Sequence, residues 1–198
     1  MLSDKEIRSD LEKLKEIVAS HKAQDAELAT HREIIFGEEY DVFTKAPSNL
    51  NKLFENGLKN ENDTFLVYLE ERYTFAETLL LARRMARALS EHYQITHGDR
   101  VAVCARNSPE WCIAYMAITT IGGVVVPMNS WWKGIEIEYG LRDSGSKLAL
   151  VDQARFDQTE PFLESLKIDL VTIKPNISQT INIPSGILPG LYGSQENK

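Results

Sequence analysis

The sequence predicts an α/β body built in three layers, a mostly parallel sheet with flanking helices, running from about Asn49 to Ile173. Two observations carry this expectation. Val101-Ala102-Val103-Cys104-Ala105, Val124-Val125-Val126-Pro127 and Leu148-Ala149-Leu150-Val151 are short apolar runs without polar alternation, the pattern of strands buried on both faces of a parallel sheet. A helix-length segment separates each run from the next, so Gly98–Asp152 reads β-α-β-α-β, and such connections join parallel strands. The three strands are expected to be adjacent in one sheet.

Residues 1–48 read as a helical N-terminal extension and arm. Ser9-Asp10-Leu11-Glu12 has the spacing of a capping box, and Ile7, Leu11, Leu14, Val18 and Leu28 fall near heptad a and d positions of a helix reaching roughly to Arg32. His21 and Asp25 occupy core positions of the same register, which favours a helix lying along its own domain over a coiled coil. Ile34–Pro47 mixes aromatic and acidic residues without a period and reads as an extended arm over the surface. Asn49 to Phe54 then opens a short helix that Gly57 can end.

Thr64–Leu69 and Arg72–Thr74 flank the polar pair Glu70-Glu71, a hairpin signal. Thr74-Phe75-Ala76-Glu77 is a second capping box, opening a helix with Leu79, Ala82, Ala86 and Leu89 on one face. Arg83, Arg84 and Arg87 lie toward the other face, where Glu77 and Glu91 on the same helix favour a solvated surface over a phosphate site.

After the first buried run, Ser108 is expected to cap a helix with its hydroxyl, and Pro109 supplies the preset φ of a first helical position. From Trp111 to Ile121 this helix is apolar almost all round and must be covered on more than one side. Gly122-Gly123 releases the chain into the second run. Trp131–Glu136 opens the next helix, ending near Gly145 with Ile137 and Leu141 inward; Lys133 stands at its N-terminus, where a hydroxyl cap is lost. The Trp131-Trp132 pair is read first as a packing anchor and second as a pocket lining. A helix over Gln153–Leu166 and a strand over Asp169–Ile173 continue the alternation. Residues 174–198 read as an irregular tail: from Pro175 on it holds three of the seven prolines and three of the eleven glycines, with no period.

A net charge of −7 and a pI near 5.2 argue against nucleic acid as a partner, since such binding is led by basic surface. The N-terminus lacks the apolar core of a signal peptide, and the longest apolar run, Trp111–Met128, is broken by Thr119, Thr120, Gly122 and Gly123 short of a membrane span. A cytoplasmic protein with no transmembrane segment is expected. Cys104 and Cys112 sit where apolar residues would and read as packing residues. His21, His31, His92 and His97 are scattered without ligand-like company, so no metal site is assigned.

The string GDRVAVCARNSPEW…AYMAITTIGGVVVPMNSWW…LRDSGSKLALVD, with Tyr73-Thr74-Phe75-Ala76-Glu77 opening the preceding helix, resembles the first part of the adenylate-forming acyl-CoA synthetases. These are the AMP-dependent synthetases and ligases, or AMP-binding enzymes, and the resemblance covers about Asn49–Leu170. It implies the N-terminal portion of such a ligase's large domain. At family level it implies an acid-thiol ligase of fatty acid metabolism or a related pathway: a carboxylic or fatty acid is activated with ATP and Mg to an acyl-adenylate, and CoA then displaces AMP. The family's Ser/Thr/Gly-rich phosphate loop with its Lys, its adenine and ribose contacts and its adenylation Lys lie later in its chain. No segment here supplies a phosphate cradle: Gly122-Gly123 leads straight into a strand, Ser185-Gly186 has no Lys beside it, and neither glycine-loop pattern occurs. No catalytic, cofactor-binding or metal residue is assigned, and no cofactor is expected on this chain alone. Arg106 joins the three helical arginines as the cations near the α/β unit. The chain is expected to be a fragment of a ligase, inactive alone and self-associating through apolar surface of the Trp111–Ile121 helix and the sheet. The alternative is a non-catalytic binding or interaction module derived from that scaffold.

Overall fold

The computed structural model describes residues 4–21, 26 and 28–174 and falls into two compact units, Met1–Ser48 and Asn49–Lys198. The tail expected over 174–198 lies, from Pro175 on, outside the described residues; Lys174 closes the last strand.

The first unit holds helix α1 (Asp4–His21) and an antiparallel hairpin, β1 (Thr30–Ile35) and β2 (Glu38–Phe43). This corrects two expectations. The helix, described over Asp4–His21, does not reach Arg32, which lies in strand β1, and residues 34–43 belong to the hairpin instead of an arm. The two-residue link is Phe36-Gly37, both at positive φ (52° and 88°), as the twist of a tight hairpin demands. Phe in place of Asn at the first link position is what hid the turn. Arg32, paired with Asp41 in register, lies 3.1 Å from its carboxylate and 3.5 Å from that of Glu39.

The second unit opens with α2 (Leu50–Asn56), capped by the Asn49 side chain, which accepts the Lys52 N–H at 2.9 Å. Gly57 is its C-cap, as the sequence predicts, although not in a left-handed turn; its φ is −61° and a 3₁₀ turn over Gly57–Asn60 follows. The hairpin β3 (Thr64–Tyr68) and β4 (Glu71–Thr74) forms as the sequence predicts, and the Thr74/Glu77 capping box opens α3 (Phe75–Tyr93). The body then runs β5 (Arg100–Cys104), α4 (Pro109–Thr120), β6 (Val124–Pro127), α5 (Gly134–Ser144), β7 (Leu148–Asp152), α6 (Gln153–Thr159), α7 (Leu163–Leu166) and β8 (Asp169–Lys174). The single helix expected over Gln153–Leu166 is divided by a 3₁₀ turn at Glu160–Phe162, because Pro161 brings no N–H to a continuing helix.

The sheet has the order β6-β5-β7-β8 and every pair in it is parallel. Alternation sorts its two faces. Val101, Val103, Leu148, Leu150, Val171 and Ile173 form one core with α3 and α4, while Ala102, Cys104, Ala149 and Val151 form a second with Ile137 and Leu141 of α5. Small residues on the second face let α5 and α6 lie close. The opposite placement of α4 and α5 follows from chain handedness: β5 to β6 steps one way along the sheet, β6 to β7 steps back over β5, and right-handed crossovers then need opposite faces.

Helix α4 is apolar yet well covered. Each of its residues is buried or half-buried, enclosed by α3, α2 and the sheet, so the expected loss of cover does not occur on this helix. The sheet's β6 edge is more open, with Val124 46% exposed. Ser108 has the extended N-cap backbone and Pro109 follows at the first position, but the Ser108 hydroxyl makes no capping bond; its carbonyl accepts the Trp111 N–H instead. At α5 the Glu136 carboxylate accepts the Lys133 N–H at 2.8 Å, half of a capping box, since an ammonium group offers no acceptor for the other half.

Candidate functional site

In an open α/β sheet, ligands gather beyond the carboxyl ends of two adjacent strands whose onward helices pass to opposite faces. Here β5 has such a neighbour on each side: α4 leaves β5 toward one face, while α5 leaves β6 and α6 leaves β7 toward the other. Three loops meet at this edge, the one after β5 (105–108), the one after β6 (128–133) and the turn from β7 into α6 at Asp152.

Asp152 is the hub. Its Oδ1 accepts the Arg155 N–H at 3.1 Å, capping α6, and its Oδ2 accepts the Arg106 N–H at 2.9 Å from the β5 loop. Arg155 lies back over the same carboxylate, Nη1 donating to Oδ1 at 3.2 Å and Oδ2 at 3.1 Å, while Nη2 donates to the Ser130 carbonyl of the β6 loop. With Arg155 only 8% exposed and Asp152 half-buried, this is a largely buried ion pair that meets backbone groups from all three loops and leaves the buried Arg155 Nε without a partner.

Above it, the Arg106 guanidinium sits 3.4 Å from the centre of the Trp131 ring, a cation–π contact at a position where Trp131 is 75% exposed. The Asn129 side chain accepts the Trp131 N–H at 3.0 Å and fixes the loop. The tryptophan pair therefore divides: Trp132 is half-buried against the second core and fills the space over Gly140, while Trp131 faces outward. At the floor, the Cys104 thiol is pushed up to about 11, chiefly by burial, with Arg155 acting the other way and Asp152 reinforcing it. Such a thiol stays protonated and is no nucleophile. The edge thus offers a polar clamp under an exposed aromatic–cation platform, suited to holding a flat or anionic group.

The remaining candidates are placed elsewhere. Arg83 pairs with Glu55 (3.2 Å) and Arg87 with Glu91 (2.8 Å), which fits the solvated face the sequence predicts. Gly122 takes φ +75°, and the amides of the turn are spent: Gly122 N–H on Thr119 O, Gly123 N–H on Ile118 O and Val124 N–H on Asp99 O. The described residues therefore do not fit a triphosphate there. Of the histidines, the His97 ring packs over Gly122, His31 lies 3.6 Å from Glu33, His21 bonds within its own helix, and His92 is in the last turn of α3. Among the described residues no group of three or more His, Cys, Asp and Glu is placed to hold a metal ion, and Cys104 and Cys112 are free. No helix among them is long and apolar enough to cross a membrane. Sequence reasoning named Arg106 and the tryptophans but missed Asp152 and Arg155. The signal was an Asp closing a buried run with an Arg three residues on.

Comparison with known proteins agrees with this architecture. The chain is 35% identical over 123 residues to 4-coumarate–CoA ligase 2 of Oryza sativa subsp. japonica, covering 59% of this chain and 21% of that one. To a long-chain-fatty-acid–CoA ligase of Mycobacterium tuberculosis it is 38% identical over 79 residues, covering 40% of this chain and 16% of the other. Among solved structures, coronafacic acid ligase from Pectobacterium brasiliense superposes with a TM-score of 0.61 at 26% identity over 68% of this chain and 27% of that one. An anthranilate CoA ligase in complex with anthranoyl-AMP gives 0.61 at 25% identity over 65% and 26%. The chain thus spans about a quarter or less of the length of these relatives. Residues 53–185 match the family model described as AMP-binding enzyme, and with this sheet order and these relatives the chain belongs to that family, as part of its N-terminal region.

Proposed function

We propose that this chain supplies the first α/β portion of an ATP-dependent acid–thiol ligase acting in the cytoplasm, and that on its own it neither holds ATP nor turns over. The acid–thiol class is supported by the named relatives, all CoA or acid ligases, although they extend well beyond the matched region. ATP, Mg²⁺ and CoA belong to the proposal at the level of the whole ligase. The reading that this portion lacks the nucleotide site rests on one observation: the amides of the Gly122-Gly123 turn are consumed by Thr119, Ile118 and Asp99, leaving no row of donors for phosphate. Charge developing on a phosphoryl group needs several preorganised donors and a cation, and losing one such donor typically costs about 3 kcal/mol.

The test is exchange of labelled pyrophosphate into ATP with a panel of fatty and aromatic acids, beside calorimetry with ATP and Mg²⁺. The expected result is no exchange above a heat-killed control. Turnover, or micromolar ATP binding that survives high salt, overturns the proposal of inactivity. The ligase assignment is checked separately on the transcript: a reading frame that continues past Lys198 into a Ser/Thr/Gly-rich loop with a Lys is expected. An abundant transcript that stops there favours a non-catalytic module.

A further inference from the structure

Residues 1–48 lie outside the region matched by the family model, and their helix carries an apolar stripe that nothing assigned to the family explains. On α1, Leu11, Leu14, Ile17 and Val18 are 51%, 57%, 55% and 46% exposed. Their spacing places Leu11 and Val18 at a, Leu14 at d and Ile17 at g of one heptad register, whose last d position within α1 is the polar His21. The flanking charges follow the same register. Arg8 and Lys15 fall at e, and Asp10 falls at g.

We propose that α1 is a dimerisation helix whose partner is α1 of a second copy of this chain, wound parallel and in register. Charge complementarity selects that occupant and that direction. In a parallel pair the g position of one helix meets the following e position of the other, which sets Asp10 against Lys15 of the second copy, twice by symmetry. In an antiparallel pair e meets e, and Arg8 would face Lys15, like against like. The local pairs that Asp10 and Lys15 make within α1, with Lys13 at 3.6 Å and Glu12 at 2.9 Å, are exposed and weak enough to be exchanged. The 18-residue helix spans only two and a half heptads, so the association is weak and concentration-dependent.

The experiment is sedimentation equilibrium of the 198-residue chain from about 5 μM to about 500 μM, a range that brackets micromolar affinities. The mass is expected to rise from 22.4 kDa toward twice that value. Leu14→Asp should weaken dimerisation at least ~10-fold, as a charge at d must be desolvated. Asp10→Lys should weaken it too, and Asp10→Lys combined with Lys15→Asp should restore it. Unchanged unfolding of the α/β unit in each variant checks that only the helix surface has altered. A mass that stays at the monomer value, a dimer indifferent to Leu14→Asp, or a double exchange no tighter than Asp10→Lys alone overturns the proposal.

Discussion

Gly134, at the start of α5, faces the backbone carbonyl of Gln158 in α6 so closely that a Cβ built on it would stand 2.1 Å from that oxygen. Both atoms belong to backbone, and neither can turn aside as a side-chain tip would. The second face of the sheet is lined by Ala102, Ala149 and Cys104, so α5 and α6 pack against each other as well as against a shallow floor. The close approach is a consequence of that economy.

Gly134→Ala is therefore expected to destabilise the chain by about 1–3 kcal/mol, the range of an overpacked core position, although alanine is the better helix former by about 1 kcal/mol. Urea unfolding followed by circular dichroism reads the change. An alanine variant as stable as the parent would mean that α5 and α6 are farther apart than described.

A second relationship ties the opposite end of the sheet. Lys147, just before β7, donates to Asp99 Oδ2 at 2.9 Å and to the Gln94 carbonyl at 2.7 Å, while the Thr96 N–H and hydroxyl donate to the same Asp99 oxygen at 2.8 and 3.0 Å. These bonds, the Lys147 one first, hold the Asp99 carboxyl down to about 2. A depressed carboxyl stabilises the folded state above its unfolded value of 3.8, and that contribution is lost as pH falls from there toward 2. Denaturation midpoints measured from pH 6 to pH 2 should fall less for Asp99→Asn than for the parent chain. Parallel pH profiles would show that the carboxylate is not held as described.

The two outcomes of reading the sequence have separate physical causes. Val101–Cys104, Val124–Pro127 and Leu148–Val151 were legible as parallel strands because burial on both faces leaves a run with nothing polar in it, a signal that needs no partner to be recognised. The β1–β2 hairpin was not, because its strands cluster charged and apolar residues without a period of two around a Phe-Gly link, and a two-stranded ribbon declares itself only through pairing such as Arg32 with Asp41. Ser108 was recognised as a cap by residue type, yet whether a hydroxyl turns toward the helix amides is decided by its neighbours. The site was harder still. Asp152 and Arg155 acquire meaning only when the strand order brings the β5, β6 and β7 loops to one edge, and that order is a property of the assembled sheet.

The same cluster gives the last prediction. Removing one member of a buried pair costs more than replacing both, because the survivor keeps its charge and loses the group that compensated it. Asp152→Ala leaves Arg155 buried without its carboxylate and also frees the Arg106 amide and the α6 N-terminus, so a loss of about 3–5 kcal/mol is expected. Arg155→Met keeps the volume and the cap but leaves Asp152 with backbone donors alone, and should cost less. The double variant Asp152→Asn with Arg155→Met retains an acceptor for the Arg106 and Arg155 amides and removes both charges; it should be more stable than Asp152→Ala. Because Asp152 positions the loop that carries Arg106, the Trp131 fluorescence spectrum should also shift in Asp152→Ala as the guanidinium leaves the ring. A variant that loses stability with unchanged Trp131 emission would separate the clamp from the platform, and one that loses neither would show that Asp152 does not join the three loops.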